Sequence, residues 1–294
     1  MASNLRSFRR SDDAEVLELS RRALGRPEEQ VGNPLWSSRE ELESELSDWD
    51  VPPEETLVVQ DDDGHVVGFG GVEVARGWAH ADLFGPLVAP GYRGQKRGTE
   101  ILEAALRLAG EHGAAVVVAS VGVRNLNARM LLEHAGFTTR GNAKAVFRLA
   151  REEHRPAEDP APDVEVSVGT PADLDEALRL YHETFPEGVF PDDAWRDGLA
   201  KGSVYLAERD GRALAFLNID TADRWAYHIG VVEEERSHGV GRILLSRVLE
   251  HYWSRHPGET LGLSVEADNL PALRLLHRQG FAPWLVLQSY ELPL

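Results

Sequence analysis

At 294 residues the chain is long for one domain and about right for two, since domains usually run about 100–200 residues. Cysteine is absent, which excludes disulfides, thiolate zinc sites, iron–sulfur clusters and an acyl-cysteine intermediate. The net charge of −18, from 31 basic and 49 acidic residues, lacks the basic footprint of a nucleic-acid binder, so no nucleic-acid partner is expected.

The first predicted elements are a short strand at Leu5–Phe8 and a helix opened by Ser11-Asp-Asp, whose side-chain oxygens suit a helix start. A second helix is predicted over Arg39–Leu46. The extra residues around Arg26–Asp50 read either as the wall of an acceptor site or as ornament. Strands at Thr56–Gln60 and Val66–Val74 flank Asp63-Gly64, a hairpin-turn signal. Leu83–Val88 reads as a strand running into a basic, glycine-bearing loop that starts at Arg93. Ile101, Leu102, Ala105 and Leu108 follow at helical spacing. A strand at Val116–Val121, a helix opened by Asn125 and closed by Gly136-Phe137, and a final hairpin complete the set.

Residues 151–163 are rich in proline, alanine and charge without apolar periodicity, and read as a linker. The succession then repeats. A strand at Val164–Val168 leads to a helix opened by Thr170-Pro-Ala-Asp and a second helix over Asp192–Leu199. Hairpin strands at Val204–Glu208 and Ala213–Ile219 flank Asp210-Gly211. A strand at Tyr227–Val232 runs into the loop from Arg236 to Gly241 and a helix carrying Ile243, Leu244, Val248 and Tyr252. A strand at Leu261–Val265, a helix from Asn269 to Gly280-Phe281 and a final hairpin follow. Arg93 and Arg236 stand 143 residues apart; Asn125 and Asn269, like Gly136 and Gly280, stand 144 apart. Landmarks in one order at one offset argue for duplication. The predicted domains are 1–150 and 164–294.

A strand ending in a glycine-bearing loop that becomes a helix is a general anion trap. The first helical amides lack intrahelical partners, the dipole is positive there, and glycine lets a ligand approach the backbone. Arg236-Ser-His-Gly239-Val-Gly241-Arg242 has this form with two arginines added. It is neither G-x-G-x-x-G nor G-x-x-x-x-G-K-[ST].

The segment Ile229-Gly-Val-Val-Glu-Glu-Glu-Arg236-Ser-His-Gly239-Val-Gly241-Arg-Ile-Leu-Leu resembles the acyl-CoA motif of the GCN5-related N-acetyltransferase (GNAT) superfamily, R/Q-x-x-G-x-G/A after a strand. Asn269-Leu-Pro-Ala272-Leu-Arg-Leu275-Leu-His-Arg-Gln-Gly280-Phe281 and Asn125-Leu-Asn-Ala128-Arg-Met-Leu131-Leu-Glu-His-Ala-Gly136-Phe137 are similar to its second motif, N-x-x-A-x-x-L-Y-x-x-x-G-F. The resemblance implies an α/β (α+β mixed) fold of two tandem domains. Each would be a splayed mixed sheet of six or seven strands flanked by helices. It implies acetyl-CoA as cosubstrate, with pantetheine in the splay and the diphosphate on the loop. Carried over, the cofactor-binding residues are Ile229, Val231, Arg236, Gly239, Val240, Gly241, Arg242 and Asn269 in the second copy, and Val88, Arg93, Gly94, Gly98 and Asn125 in the first. Asn269 reads equally as a helix N-cap.

Two departures from the family pattern bear on mechanism. Lys96 stands at the motif's first glycine in the first copy, which makes the second copy the expected catalytic one. The tyrosine that protonates the leaving thiolate in many members is Leu132 or Leu276 here. Candidate bases are Glu266, Tyr227 and His228, with Asp220 and, in the first copy, Asp82 as alternatives. On a strand, 227, 229 and 231 would share one face and 228 the other. Tyr227 and Tyr290 line the acceptor cleft or are core and rim aromatics.

The expected activity is transfer of an acetyl or short acyl group to a primary amine of a small molecule by direct attack. The acidic surface either draws a cationic amine or only keeps the protein soluble. Two alternatives stand: a CoA-binding regulatory protein without turnover, and an acetyltransferase for a small-thiol precursor, of the mycothiol synthase type. Val265–Asn269 is similar to that type, and Leu276 departs from it. No apolar run is long enough to span a bilayer and residues 1–15 lack a signal-peptide stretch. A cytoplasmic location without a membrane partner is therefore expected. The eleven histidines lack metal-ligand spacing, so no metal is expected.

Overall fold

The computed structural model describes residues 4–75, 78–156, 161, 163–186, 190–221 and 224–294. In chain order the elements are β1 (Asn4–Ser7), α1 (Asp13–Leu24), α2 (Arg39–Asp48), α3 (Pro53–Thr56), β2 (Leu57–Asp62), β3 (His65–Val74) and β4 (His80–Val88). Then come α4 (Arg97–Glu111), β5 (Val116–Gly122), α5 (Leu126–His134) and β6 (Thr138–Leu149). The second half gives β7 (Glu165–Val168), α6 (Leu174–Thr184), α7 (Asp192–Lys201), β8 (Val204–Arg209), β9 (Arg212–Asp220) and β10 (Trp225–Val231). It closes with α8 (Val240–Arg255), β11 (Leu261–Glu266), α9 (Leu270–Gln279) and β12 (Ala282–Pro293).

Local chemistry explains most of these elements. Both Asp-Gly pairs adopt left-handed dihedrals, φ +51° and +85° at Asp63-Gly64 and +51° and +75° at Asp210-Gly211, as a two-residue hairpin turn requires. Ser38 accepts from Glu41 N at 3.1 Å while the Glu41 carboxylate accepts from Ser38 N at 3.2 Å, a reciprocal cap on α2. The apolar stripe of α8 is buried at Ile243, Leu244, Val248 and Tyr252. On α4 it is buried at Ile101, Leu102 and Ala105. Each fully buried leucine or isoleucine contributes about 1.5–3 kcal/mol.

The chain divides into two compact units. One runs to Lys144 and takes in Leu285–Leu294; the other is Ala145–Trp284. Sequence composition places a linker at 151–163, of which 157–160 and 162 lie outside the described residues. In the first unit the strand order is β1-β2-β3-β4-β5-β12. The described pairings there are antiparallel, except that β4 and β5 run parallel. In the second unit it is β6-β11-β10-β9-β8-β7, with Ala145, Phe147 and Leu149 of β6 buried in that unit's core and β10 and β11 parallel.

A terminal hairpin was expected in each copy, and each copy instead ends in one long strand, β6 or β12. In the first unit the antiparallel neighbour of β5 is the chain's last strand, with Leu287–Pro293 opposite Val116–Gly122. That pairing takes the edge a local hairpin strand would need. It also makes Tyr290 a core aromatic rather than a cleft residue. The side chain is fully buried in the first unit, opposite Ala119, and its hydroxyl accepts from Arg129 Nε at 3.0 Å.

Each parallel pair opens along its length. β4 and β5 pair only at His80–Val116, Ala81–Val117 and Asp82–Val118, yet continue to Val88 and Gly122. Among the described residues β10 and β11 pair at Trp225–Gly262 and Ala226–Leu263, yet continue to Val231 and Glu266. A bulge accompanies the parting in β10, where Tyr227 is an extra residue between Ala226–Ile219 and His228–Asn218. Bulges bend a strand and increase its twist.

Candidate functional site

In the second unit the strand β10 delivers the chain into the loop 232–239. Arg236 folds back and donates through Nε to the carbonyl of Val231, at 3.1 Å. Its counterpart Arg93 does the same to Val88, at 2.8 Å. Each loop needs two left-handed residues before its helix. These are Ser237 (φ +68°) and Gly239 (φ +92°) in the second unit, Gly94 (φ +73°) and Lys96 (φ +63°) in the first. Each copy supplies one glycine and accepts a cost on the order of 1–2 kcal/mol at the other residue. Lys96 therefore does stand where the backbone favours glycine. Gly98 and Gly241 lie two residues further on. A Cβ at Gly241 would come 3.2 Å from Val231 Cγ2, so the helix start packs directly on the strand end.

The electrostatics of the two helix starts differ. The first turn of α8, from Val240 through Gly241 and Arg242, contains no acidic residue. Among the described residues Arg236 pairs with no carboxylate, and Arg242 Nε is buried without a hydrogen-bond partner. The positive end of the helix dipole and the charges of Arg236 and Arg242 thus belong to one loop and helix start. The first turn of α4 carries Glu100, which accepts from Gln60 Nε2 at 2.6 Å. Arg97 is buried beneath the Tyr92 ring, 4.8 Å from its centroid, with Asp62 at 3.5 Å. Arg93 is bound to Glu29 at 2.7 Å.

The openings differ as well. In the second unit Ile229 and Val231 are half-buried along β10, and Glu266 is exposed at the end of β11. Asn269 is exposed, and its Oδ1 accepts from Ala272 N at 3.2 Å, so it caps α9. The bulge interrupts the two-residue alternation assumed for the strand. Tyr227 is 45% exposed, while His228 turns into a shell of rings from α6, α7 and the stretch that joins them. Its centroid lies 5.3 Å from Tyr181, 5.6 Å from Phe185, 4.9 Å from Phe190 and 6.4 Å from Trp195. Asp220 lies opposite Trp225, at the closed end of the opening. Leu276 and Leu132 are both buried in the cores, 1% exposed.

In the first unit the chain itself lies in the opening. Gly122 N donates to Gln30 O at 3.0 Å, Gly32 N to Ser120 O at 2.6 Å, and Gly85 N to Asn33 O at 2.9 Å. Val31 bridges Val121 and is buried. Asn125 caps α5 through Oδ1, as Asn269 caps α9, but its Nδ2 donates to Gln30 O at 3.1 Å. Asp82, the alternative carboxylate, sits on the last paired rung and meets His80 at 3.6 Å.

Sequence reasoning assembled the loop, the strand end and the capping asparagine of each copy. It did not find the segment Gln30–Asn33 or the ring shell of His228. The only sequence signal for the segment is a pair of glycines: a Cβ on Gly32 would lie 2.4 Å from Ser120 Cβ, and one on Gly122 would lie 2.9 Å from Gln30 Cβ.

Comparison with known proteins is consistent with this geometry. The acetyltransferase (GNAT) family profile matches residues 18–137 and again 172–281. The chain belongs to that family. A GCN5-related N-acetyltransferase from Sphaerobacter thermophilus shares the fold with a TM-score of 0.76 at 18% identity, over 99% of this chain and 95% of that one. A tandem GNAT protein from the clavulanic acid biosynthesis pathway does so at 0.69 and 17% identity, over 99% and 98%. Over 96 residues the chain is 35% identical to a mycothiol acetyltransferase of Catenulispora acidiphila, a stretch that is 33% of this chain and 28% of that relative. Among the described residues no helix is long and apolar enough to cross a membrane, and no three His, Asp or Glu residues are placed to hold a metal ion.

Proposed function

We propose that this GNAT-family chain moves an acetyl or short acyl group from acyl-CoA to a primary amine of a small molecule in the cytoplasm, using the second unit. The observation that carries the reading is the β10–β11 opening, which leads onto a helix start with no first-turn acid and with Arg236 and Arg242 beside it. An anionic head with an amide-bearing arm fits such a place. Arg236, Gly239, Val240, Gly241 and Arg242 would hold the diphosphate, and the backbone of Ile229 and Val231 would hold the arm, with Asn269 beside it.

The bound thioester supplies an activated carbonyl with a good leaving group. The residues of this chain do the rest. A β10 backbone N–H stabilises the developing oxyanion. The Glu266 carboxylate, exposed at the end of β11, accepts the amine proton as the N–C bond forms and the C–S bond breaks. Tyr227, exposed on β10, flanks the acceptor's approach, and His228 packs in the ring shell behind it. Leu276 is buried, so the thiolate takes its proton from water rather than from that position.

A screen of small primary amines for CoA release tests the reading, with Gly241→Asp as control. Turnover that Gly241→Asp abolishes supports it. The buried Leu276 favours a second reading, donor binding without turnover, and binding with no CoA release from any amine would establish that one. The 35% match to mycothiol acetyltransferase places a small thiol-bearing amine in the panel, and selective turnover of it would narrow the acceptor class.

A further inference from the structure

We infer that the first unit takes no acyl donor, because Glu29–Asn33 of its own chain occupies the opening between β4 and β5. The inference rests on the proposed function only in taking that opening as the donor's place. The segment bonds to both strands. Ser120 O and Gly122 N of β5 are bonded to Gly32 and Gln30, and Gly85 N of β4 is bonded to Asn33. The asparagine at the start of α5 gives its Nδ2 to Gln30 O. The loop arginine, Arg93, gives its Nη2 to the Glu29 carboxylate, whose side chain is 9% exposed and is also bound by Arg22 at 3.2 Å.

The segment thus brings a peptide amide to Asn125 and an anion to Arg93, the two kinds of group that an amide-bearing, anionic donor would bring. Displacing it would break these bonds together and expose Val31, which is 3% exposed. The donor's other contacts in this unit are weakened too, since Glu100 stands in the first turn of α4 and Arg97 is buried against Tyr92 and Asp62.

Asp82 sits on the last paired rung of this copy, and counterparts of the second copy's candidate bases are missing from it. At the 143- and 144-residue offsets, Tyr227, His228 and Glu266 correspond to Phe84, Gly85 and Gly122. None of the three ionises at neutral pH, and both glycines donate their amides to the segment. The first unit is therefore a self-filled scaffold, and the chain carries one donor site.

Calorimetric titration of the full chain with acetyl-CoA tests this. One site per chain is expected, lost in Gly241→Asp and unchanged in Lys96→Glu, which puts a negative charge in the first-unit loop. Arg236→Glu, at an exposed side chain, repeats the test should Gly241→Asp misfold. Two sites in the wild type, one of them surviving in both second-unit variants, would overturn the inference and leave the proposed function standing; a single wild-type site that survives in both variants would overturn both. No binding by the wild type would overturn the proposed function instead, and hydrogen exchange of the ligand-free chain then decides the inference. The amides of Gly32, Gly85 and Gly122 should be protected like those of the β5–β12 ladder; exchange at exposed-loop rates would sink it.

Discussion

Beyond Ala226 and Leu263 the second unit leaves a strand edge that ends in Glu266, followed by an exposed Asn269. Beyond Asp82 and Val118 the first unit ends the same edge in Gly122, bonded to Gln30, followed by a buried Asn125. Both openings follow from one strand parting. What separates them is side-chain chemistry at a few positions. A cleft that is to be filled by backbone needs glycine at the contact, because a Cβ on Gly122 would sit 2.9 Å from Gln30 Cβ and one on Gly32 would sit 2.4 Å from Ser120 Cβ. A cleft that is to move a proton needs an ionisable group at the same place. The parting occurs in both copies, and the copies differ at Gly122 and Glu266 and in the residues around Arg26–Asp50.

The comparison breaks most visibly at Glu266. Glu266→Gln should lower kcat/KM by about 100-fold with the amine found by screening; a fall of less than about threefold removes Glu266 as the base. In the first unit, Gly32→Val drives a side chain into Ser120 and should destabilise that unit by about 1–3 kcal/mol, read by denaturant unfolding with hydrogen exchange on β5. Adding Ser120→Gly should restore part of the loss, since the two positions are in contact. A smaller effect, about 1 kcal/mol, is expected for Tyr290→Phe, which deletes the hydroxyl that accepts from Arg129. It should appear in first-unit exchange and leave acetyl-CoA affinity alone.

The smallest effect is electrostatic. The hydrogen bond from Arg93 holds the Glu29 carboxyl below the usual carboxylate range. A carboxyl with a depressed folded value stabilises the fold above its unfolded value, about pH 4.3, and loses that contribution as the pH falls through the lower folded value. Glu29→Gln should flatten stability against pH over that acid interval, and an unchanged acid limb would show that the pair does not secure the segment.

Much of the fold was legible because it is local. The Asp-Gly turns, the asparagine caps on α5 and α9, the apolar stripes of α4 and α8 and the repeat offsets depend on residues a few positions apart. The second-unit loop was legible for the same reason. The swap of left-handed positions was less so: Ser237 takes a conformation that favours glycine, and only the loop's closure onto Val231 demands it. The bulge at Tyr227 was hidden because strand alternation in sequence assumes an unbroken ladder.

The sequence by itself determined two copies of a GNAT-type strand, loop and helix, because those signals lie in short contiguous stretches. Only the tertiary structure decided which opening stays available and where the last strand goes. Gln30 reaches Gly122 and Asn125 across about ninety residues, and Leu287–Pro293 reaches Val116–Gly122 across about one hundred and seventy. Hydrogen bonds between backbone groups carry no side-chain code, so pairings at that separation are selected by the competition for free strand edges in the folded chain.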